Sequence, residues 1–180
     1  LQHSAALVGD CETIRRLAIF HGMAAERIVT FPWGIDLEHF SPGERWAGRD
    51  QLPQVERPFT LLSTRSWELL LGADIIAQAF VKVARQRPDV RLIMAGSGSL
   101  ASRLHQIFLN NGLIGEQTEE GSVDGFPRVI FPGQVGFADL PRLYHSADLY
   151  IAATHSDGTS ISLLEAMACG LPAIVSDIPG

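Results

Sequence analysis

The sequence is poor in cysteine. Cys11 and Cys169 are its two, and they form no C-x-x-C pair. That argues against a disulfide framework and for a reducing, cytoplasmic setting with both thiols buried. No apolar run reaches the roughly 18 residues of a membrane span. An excess of positive charge is also missing: 14 Lys and Arg stand against 20 Asp and Glu, a net charge of −6. A large nucleic-acid footprint is therefore not expected. An acidic chain that binds an anion must do so locally, through helix N-termini and a few Arg side chains. Aromatic residues make up only 8% of the chain, and Trp33, Trp46 and Trp67 form no stacking ladder for single-stranded nucleic acid. His3, His21, His39, His105 and His145 are scattered. His155 and Asp157 make an H-x-D pair without further ligands at metal-binding spacing, so no metal is expected. All six histidines read as structural or solvated. There is no internal repeat and no low-complexity tract.

What remains suits a folded α/β core: 46% hydrophobic and 19% charged residues. The 180 residues are enough for one full domain plus a remnant. The chain begins at Leu1 and stops at Gly180 after an apparent strand end, so a fragment cut at both ends is expected. The first part reads as a strand from Ala5 to Val8, a helix from Asp10 to His21 and a strand from Arg27 to Phe31. Asp10 is the expected N-cap and Gly22 the stop. The segment from Phe31 to Pro42 is bracketed by Pro and Gly and reads as a linker. Residues 43–57 are polar, with no clear element. From Pro58 the pattern becomes regular. Strands are expected from Phe59 to Ser63, Val90 to Ala95 and Arg128 to Phe131. Helices are expected from Ala73 to Arg87, Ser99 to Asn111 and Asp139 to Ala147. The second of these strands and the first of these helices are separated by Pro88, and that helix places Ile75, Ile76, Ala79, Phe80 and Val83 on one face. Residues 115–127 are acidic and Gly-rich, and read as a loop. Two more strands, Asp148 to Ala153 and Leu171 to Ser176, flank a last helix. Repeated β-α-β with near-continuous apolar strands implies a parallel sheet covered on both faces.

The stretch from Asp157 to Gly170, D-G-T-S-I-S-L-L-E-A-M-A-C-G, carries most of the chemistry. A strand, a Gly turn, small hydroxylated residues and then a helix present backbone N–H groups to an anion. Gly158 is expected to make the sharp turn. Thr159, Ser160 and Ser162 are expected to cap the helix and donate hydroxyl hydrogen bonds. Glu165, in the first turns, can accept from sugar hydroxyls. A ligand with negative charge and many hydroxyls fits, and a nucleoside diphosphate sugar has both. Arg65 follows a strand, at the edge where ligands of open α/β sheets collect. Gly96-Ser97-Gly98-Ser99-Leu100-Ala101 fits G-x-G-x-x-A and follows a strand, so a redox Rossmann enzyme is a rival. Its acid, about 20 residues on, should end the next strand. Glu116, Glu119 and Glu120 have the distance but precede that strand.

A carboxylate, seven residues, then Glu and A-M-A-C-G-x-P resembles the donor-binding motif of retaining glycosyltransferases of family 4, or group 1. Pro32-Trp33-Gly34-Ile35-Asp36 with Phe40 and Pro42 resembles that family's interdomain hinge, with Trp33 where Asn is common. The resemblance implies the two-Rossmann-domain GT-B fold. Residues 1–33 would end an N-terminal domain, 34–42 would be the hinge, and 43–180 an incomplete C-terminal nucleotide-sugar-binding domain. It implies transfer of a sugar from a nucleotide-activated donor to an acceptor hydroxyl, with retention and without a cofactor. Asp157, one methylene shorter than the usual Glu, would contact the hexose, and Arg65 the diphosphate. Gly158, Thr159, Ser160, Ile161 and Ser162 would hold sugar and diphosphate, and Glu165 the ribose. Gly96, Ser97 and Gly98 would approach the nucleotide, and the backbone near Val135 the base. The family's Lys before the next Gly is absent, with Leu71 in its place. The acceptor would be a glycan, a lipid-linked or a small molecule. The site would be cytoplasmic, with peripheral contact at the inner face of the membrane through the absent N-terminal domain as one option. A nucleotide- or glycan-binding domain without catalysis is the alternative.

Overall fold

The computed structural model describes residues 3–43, 58–114 and 127–178. Two parallel strands, β1 (Leu7–Gly9) and β2 (Ile28–Thr30), are joined through α1 (Glu12–Phe20). Ala18, Met23 and Ile28 are buried between that helix and the strands. Cys11, not Asp10, takes the N-cap position, and no side chain caps the helix. The Asp10 carboxylate is drawn elsewhere, as described below. Gly22 stops the helix region with φ 85°.

The segment 34–42 lies against the larger sheet. The Asp36 carboxylate accepts the N–H groups of Glu38 and His39, each at 3.0 Å. That local turn swings Phe40 fully into the core. His39 Nε2 lies 2.9 Å from the Phe137 carbonyl oxygen, and His145 Nε2 lies 3.0 Å from that of Ser41.

Among the described residues, the larger sheet has five parallel strands: β3 (Phe59–Ser63), β4 (Val90–Ala95), β5 (Val129–Gly133), β6 (Leu149–Ala152) and β7 (Ala173–Val175). Their spatial order is β5-β4-β3-β6-β7. The chain steps outward from β3 through β4 to β5, then returns to lay β6 on the other side of β3. The order therefore reverses between β3 and β6, the topological switch point where ligands of such sheets bind. Among the described residues, four helices accompany the strands: α2 (Ala73–Gln86), α3 (Ala101–Leu109), α4 (Leu140–His145) and α5 (Ile161–Ala168). Successive strand residues face opposite sides. Leu61, Leu92 and Met94 pack with Phe80, Leu104 and Phe108 on one face. Leu62, Ile93 and Tyr150 pack with Phe40, Tyr144 and Ala166 on the other. Each fully buried Leu or Phe side chain contributes roughly 1.5–3 kcal/mol.

α2 differs from its expected face. Ala73, Ile76, Ala77, Phe80, Val81 and Ala84 are buried, whereas Ile75, Ala79 and Val83 are exposed, Ile75 at 40% and Val83 at 38%. The helix has more apolar residues than one face can cover, and the three alanines let its backbone lie close to the sheet. Gly72 precedes it with φ 67°, where a Cβ would overlap the Ala153 carbonyl oxygen. The expected helix from Asp139 becomes a 3-10 turn, Phe137–Asp139, followed by α4 with Pro141 in its first turn. Most of the polar stretch 43–57 and of the loop 115–127 lies outside the described residues. Among the described residues, no helix is long and apolar enough to cross a membrane.

Candidate functional site

The ends of β3 and β6 meet at the switch point. Thr64 and Arg65 follow β3, and residues 153–160 lead from β6 into α5. Arg65 forks across the gap. Its Nη2 donates to Asp157 Oδ2 at 2.6 Å, and its Nη1 donates to Ser160 Oγ at 3.1 Å and Ser162 Oγ at 3.2 Å. The ion pair is partly buried, with Arg65 side-chain exposure at 12% and Asp157 at 25%. Its geometry is that of a charge-assisted hydrogen bond. Arg65 Nε is buried without a partner.

The serine hydroxyls do not cap α5. Ser160 stands at the N-cap position, but its hydroxyl accepts from Arg65. Leu164 N–H is held by the Ser160 carbonyl oxygen at 3.1 Å. The N–H groups of Ile161, Ser162 and Leu163 come before it and have no helical carbonyl to reach. No acidic residue lies in this first turn. Gly158 differs from its expected role too. Its φ is not positive, and what it supplies is space, because a Cβ there would overlap the Asp10 carboxylate. Gly158 N–H donates to Asp157 Oδ1 at 3.1 Å, and Thr159 N–H to Asp10 Oδ2 at 2.9 Å.

Glu165 is buried at 8% exposure. Its Oε2 accepts the Tyr144 hydroxyl at 2.6 Å. Burial pushes the Glu165 carboxyl above its ordinary value, and the bond from Tyr144 opposes that rise. Tyr144 also lies 3.1 Å from Thr64 Oγ1, and Tyr150 donates to Ser162 Oγ at 2.9 Å. Burial raises both tyrosine pKa values. Tyr144, whose hydroxyl also lies 3.3 Å from the Ser162 carbonyl oxygen, thus joins Glu165 to Ser162, and Ser162 accepts from Arg65 directly. Sequence reasoning missed the two tyrosines. Their signal is a polar tip inside an apolar segment, which when buried must find a partner.

Two cavities flank the start of α5. One, of about 240 Å³, is lined by Thr64, Gly96, Gln134, Val135, Ser162 and Glu165. The other, of about 250 Å³, is lined by Thr154, Asp157, Gly158, Ser160 and Leu163 among others. Gly96, with φ 125°, faces the first. Ser97 and Gly98 line neither. The Ser97 carbonyl accepts Trp67 N–H at 2.9 Å, and a Cβ at Gly98 would overlap the Trp67 carbonyl oxygen. Glu68 sits just ahead of α3: its Oε1 accepts Ser99 N–H at 2.9 Å and its Oε2 the Ser99 hydroxyl. These bonds hold the Glu68 carboxyl below its usual range. A dinucleotide pyrophosphate would need the place this carboxylate occupies. Glu116, Glu119 and Glu120 lie outside the described residues. Leu71 ends a 3-10 turn, Leu69–Leu71, that leads into α2. Ile161 is exposed on the first turn of α5. Among the described residues, no group of three or more His, Cys, Asp or Glu is placed to hold a metal ion.

A doubly wound parallel sheet, with a helix N-terminus and an arginine meeting at its switch point, defines a Rossmann-like domain. Residues 60–180 match the model of the glycosyl transferases group 1 family, and the chain belongs to that family. The D-inositol 3-phosphate glycosyltransferase of Segniliparus rotundus is 27% identical over 164 residues, covering 91% of this chain and 35% of that protein. The Mycobacterium bovis BCG enzyme of the same name is 32% identical over 179 residues, covering 97% and 34%. The chain thus spans about a third of the length of these curated relatives. The crystal structure of Anabaena HepE in complex with UDP and glucose superposes with a TM-score of 0.77 at 22% identity, covering 98% of this chain and 45% of that one. The pneumococcal O-GlcNAc transferase GtfA, in complex with UDP and GlcNAc, gives 0.71 at 23%, covering 97% and 30%. The fold is that of the GT-B glycosyltransferases.

Proposed function

We propose that these residues form the donor-binding part of a glycosyltransferase. It moves a sugar from a nucleotide-activated donor to an acceptor hydroxyl with retention of configuration. The observation that carries this reading is the meeting of Arg65, Asp157, Ser160 and Ser162 at the start of α5, with Glu165 on the cavity shared with Gly96 and Val135. On this reading, residues 1–33 end one domain, 34–42 are the hinge, and 43–180 belong to the donor domain. The acceptor, whether glycan, lipid-linked or small molecule, is held mainly by parts of the full-length protein outside these residues. The reaction is cytoplasmic, and any contact with the membrane face comes through those other parts.

The chemistry follows from the geometry. Ligand-free, Arg65 is neutralised by Asp157. A donor diphosphate competes for the guanidinium, and Asp157 is released toward the hexose hydroxyls. The amides of residues 161–163 and the positive end of α5 face the leaving phosphate as its charge grows. Glu165 accepts from the ribose hydroxyls with the oxygen that Tyr144 does not hold. Gly96 leaves room for the nucleotide, and the backbone at Val135 meets the base.

A thermal-shift panel of nucleotide sugars on the full-length protein tests the reading. UDP-sugars come first, since HepE and GtfA carry UDP. Ligand at about 100 times its Kd stabilises by about 2.7 kcal/mol. No shift with any member contradicts the reading. Binding without turnover is the second reading, favoured by Leu71 in place of the family's Lys and by the shorter Asp157. A donor-hydrolysis assay separates the two.

A further inference from the structure

Asp10 lies outside the residues that the motif reading assigned. It follows β1, on the smaller sheet, 149 positions from Thr159. Its carboxylate accepts the Thr159 N–H at 2.9 Å, and its main-chain oxygen accepts the Thr159 hydroxyl at 2.9 Å. Glycine at 158 leaves the room that this carboxylate fills. The bond from Thr159 holds the Asp10 carboxyl below its ordinary value, so it is ionised at neutral pH.

The turn that carries Asp157 is therefore gripped from two sides. Arg65, at the end of β3, holds Asp157, Ser160 and Ser162. Asp10, at the end of β1, holds Thr159. The first grip comes from the larger sheet, and the second from the smaller one. We propose that Asp10 is a positioning residue for the donor sugar: it fixes the 157–160 turn from the opposite wall of the cleft, so that Asp157 is aligned on the sugar only when the two sheets are together. This rests on the donor-site reading above. The nucleotide is held by groups that do not involve Asp10, so the nucleoside diphosphate and the sugar should respond differently to its loss.

The experiment uses the full-length protein, with Asp10→Ala, Asp10→Asn, Gly158→Ala and the Asp10→Ala/Gly158→Ala double variant. Calorimetry is run with the pairs UDP-glucose and UDP, ADP-glucose and ADP, and GDP-mannose and GDP, beside donor hydrolysis and a melting curve. Asp10→Ala should leave nucleoside diphosphate affinity within about twofold of wild type. It should weaken the nucleotide sugar and lower kcat, each by about tenfold, the loss of one hydrogen bond to a charged group. Asp10→Asn keeps an oxygen acceptor and should recover most of both. Gly158→Ala should reproduce Asp10→Ala, and the double variant should be no worse than either single one. Equal loss for nucleotide sugar and nucleoside diphosphate, no loss for either, or additive single variants would each overturn the inference while leaving the donor site standing. If the wild type binds no member of any pair, the donor-site reading itself fails, and the inference with it.

Discussion

Replacing Glu165 by Gln separates what the carboxylate does for a ligand from what it does for the fold. Glu165 is buried at 8% exposure, with Tyr144 on one oxygen. Ionised, it offers its second oxygen to the ribose. Gln puts a carbonyl oxygen at one of the two positions and an amide NH2 at the other, so Tyr144 and the ribose no longer each meet an acceptor oxygen of their own. Loss of one hydrogen bond to a charged group costs roughly 1.5–3 kcal/mol, or about tenfold to somewhat over a hundredfold in Kd. Ala at this position removes both acceptors and should cost more. Stability should move the other way. Burial raises the Glu165 carboxyl above 4.5 in the folded state. Folding then favours the protonated form, so this group's contribution declines as pH rises from the unfolded value through the folded one. Above the folded value the cost is fully present, and there Glu165→Gln should raise Tm. By the same titration, ribonucleotide affinity should fall on acidification at a higher pH than an ordinary Glu would give. The assay is calorimetry on the full-length protein with UDP and 2′,3′-dideoxy-UDP, beside melting curves. Weaker UDP binding, unchanged dideoxy-UDP binding and a higher Tm are expected. Equal affinity of Glu165→Ala and wild type for both nucleotides would refute the ribose assignment.

Further outcomes follow from the same geometry. Arg65→Ala should weaken UDP by roughly 1.5–3 kcal/mol and leave uridine unchanged, which parallel titrations would show; equal loss for both contradicts the diphosphate role. Tyr144→Phe should leave Glu165 buried without its donor, lowering UDP affinity more than dideoxy-UDP affinity and lowering Tm by removing a buried partner. The Cys169 thiol, pushed up to about 11 by burial, should resist alkylation at pH 8 in the native protein and react on unfolding; rapid native labelling mapped to Cys169 would contradict this. The 180 residues alone should not transfer sugar, since the acceptor is not held beside the anomeric carbon; turnover by the purified chain with donor and mixed acceptors would contradict that.

The larger sheet was legible because its strands are near-continuous apolar runs. The range from Phe59 to Ser63 and that from Val90 to Ala95 coincide with β3 and β4. Pro88 fixed the end of α2 to within a residue. Helix starts were less legible, because the hydroxyls and carboxylates that suggested caps bond elsewhere. Asp10 turns to Thr159 and Ser160 to Arg65. Such partners lie far along the chain, and no local period encodes them. The Glu68 carboxylate at Ser99 is a similar case, and without it the 96–101 turn reads as an open anion site. Segment 157–165 was legible as a unit, since its residue types and their order carry the pattern. The cross-links that orient it, Tyr144 above all, come from other elements.

The central claim places a nucleotide sugar at the switch point between β3 and β6. A crystal structure of the full-length protein with UDP-glucose tests it most directly. The account predicts the diphosphate within hydrogen-bond distance of Arg65 and the amides of residues 161–163. It also predicts the ribose hydroxyls on Glu165 and an Asp157 carboxylate turned from Arg65 to the sugar. A diphosphate bound instead at the N-terminus of α3, with Glu68 displaced, would contradict it.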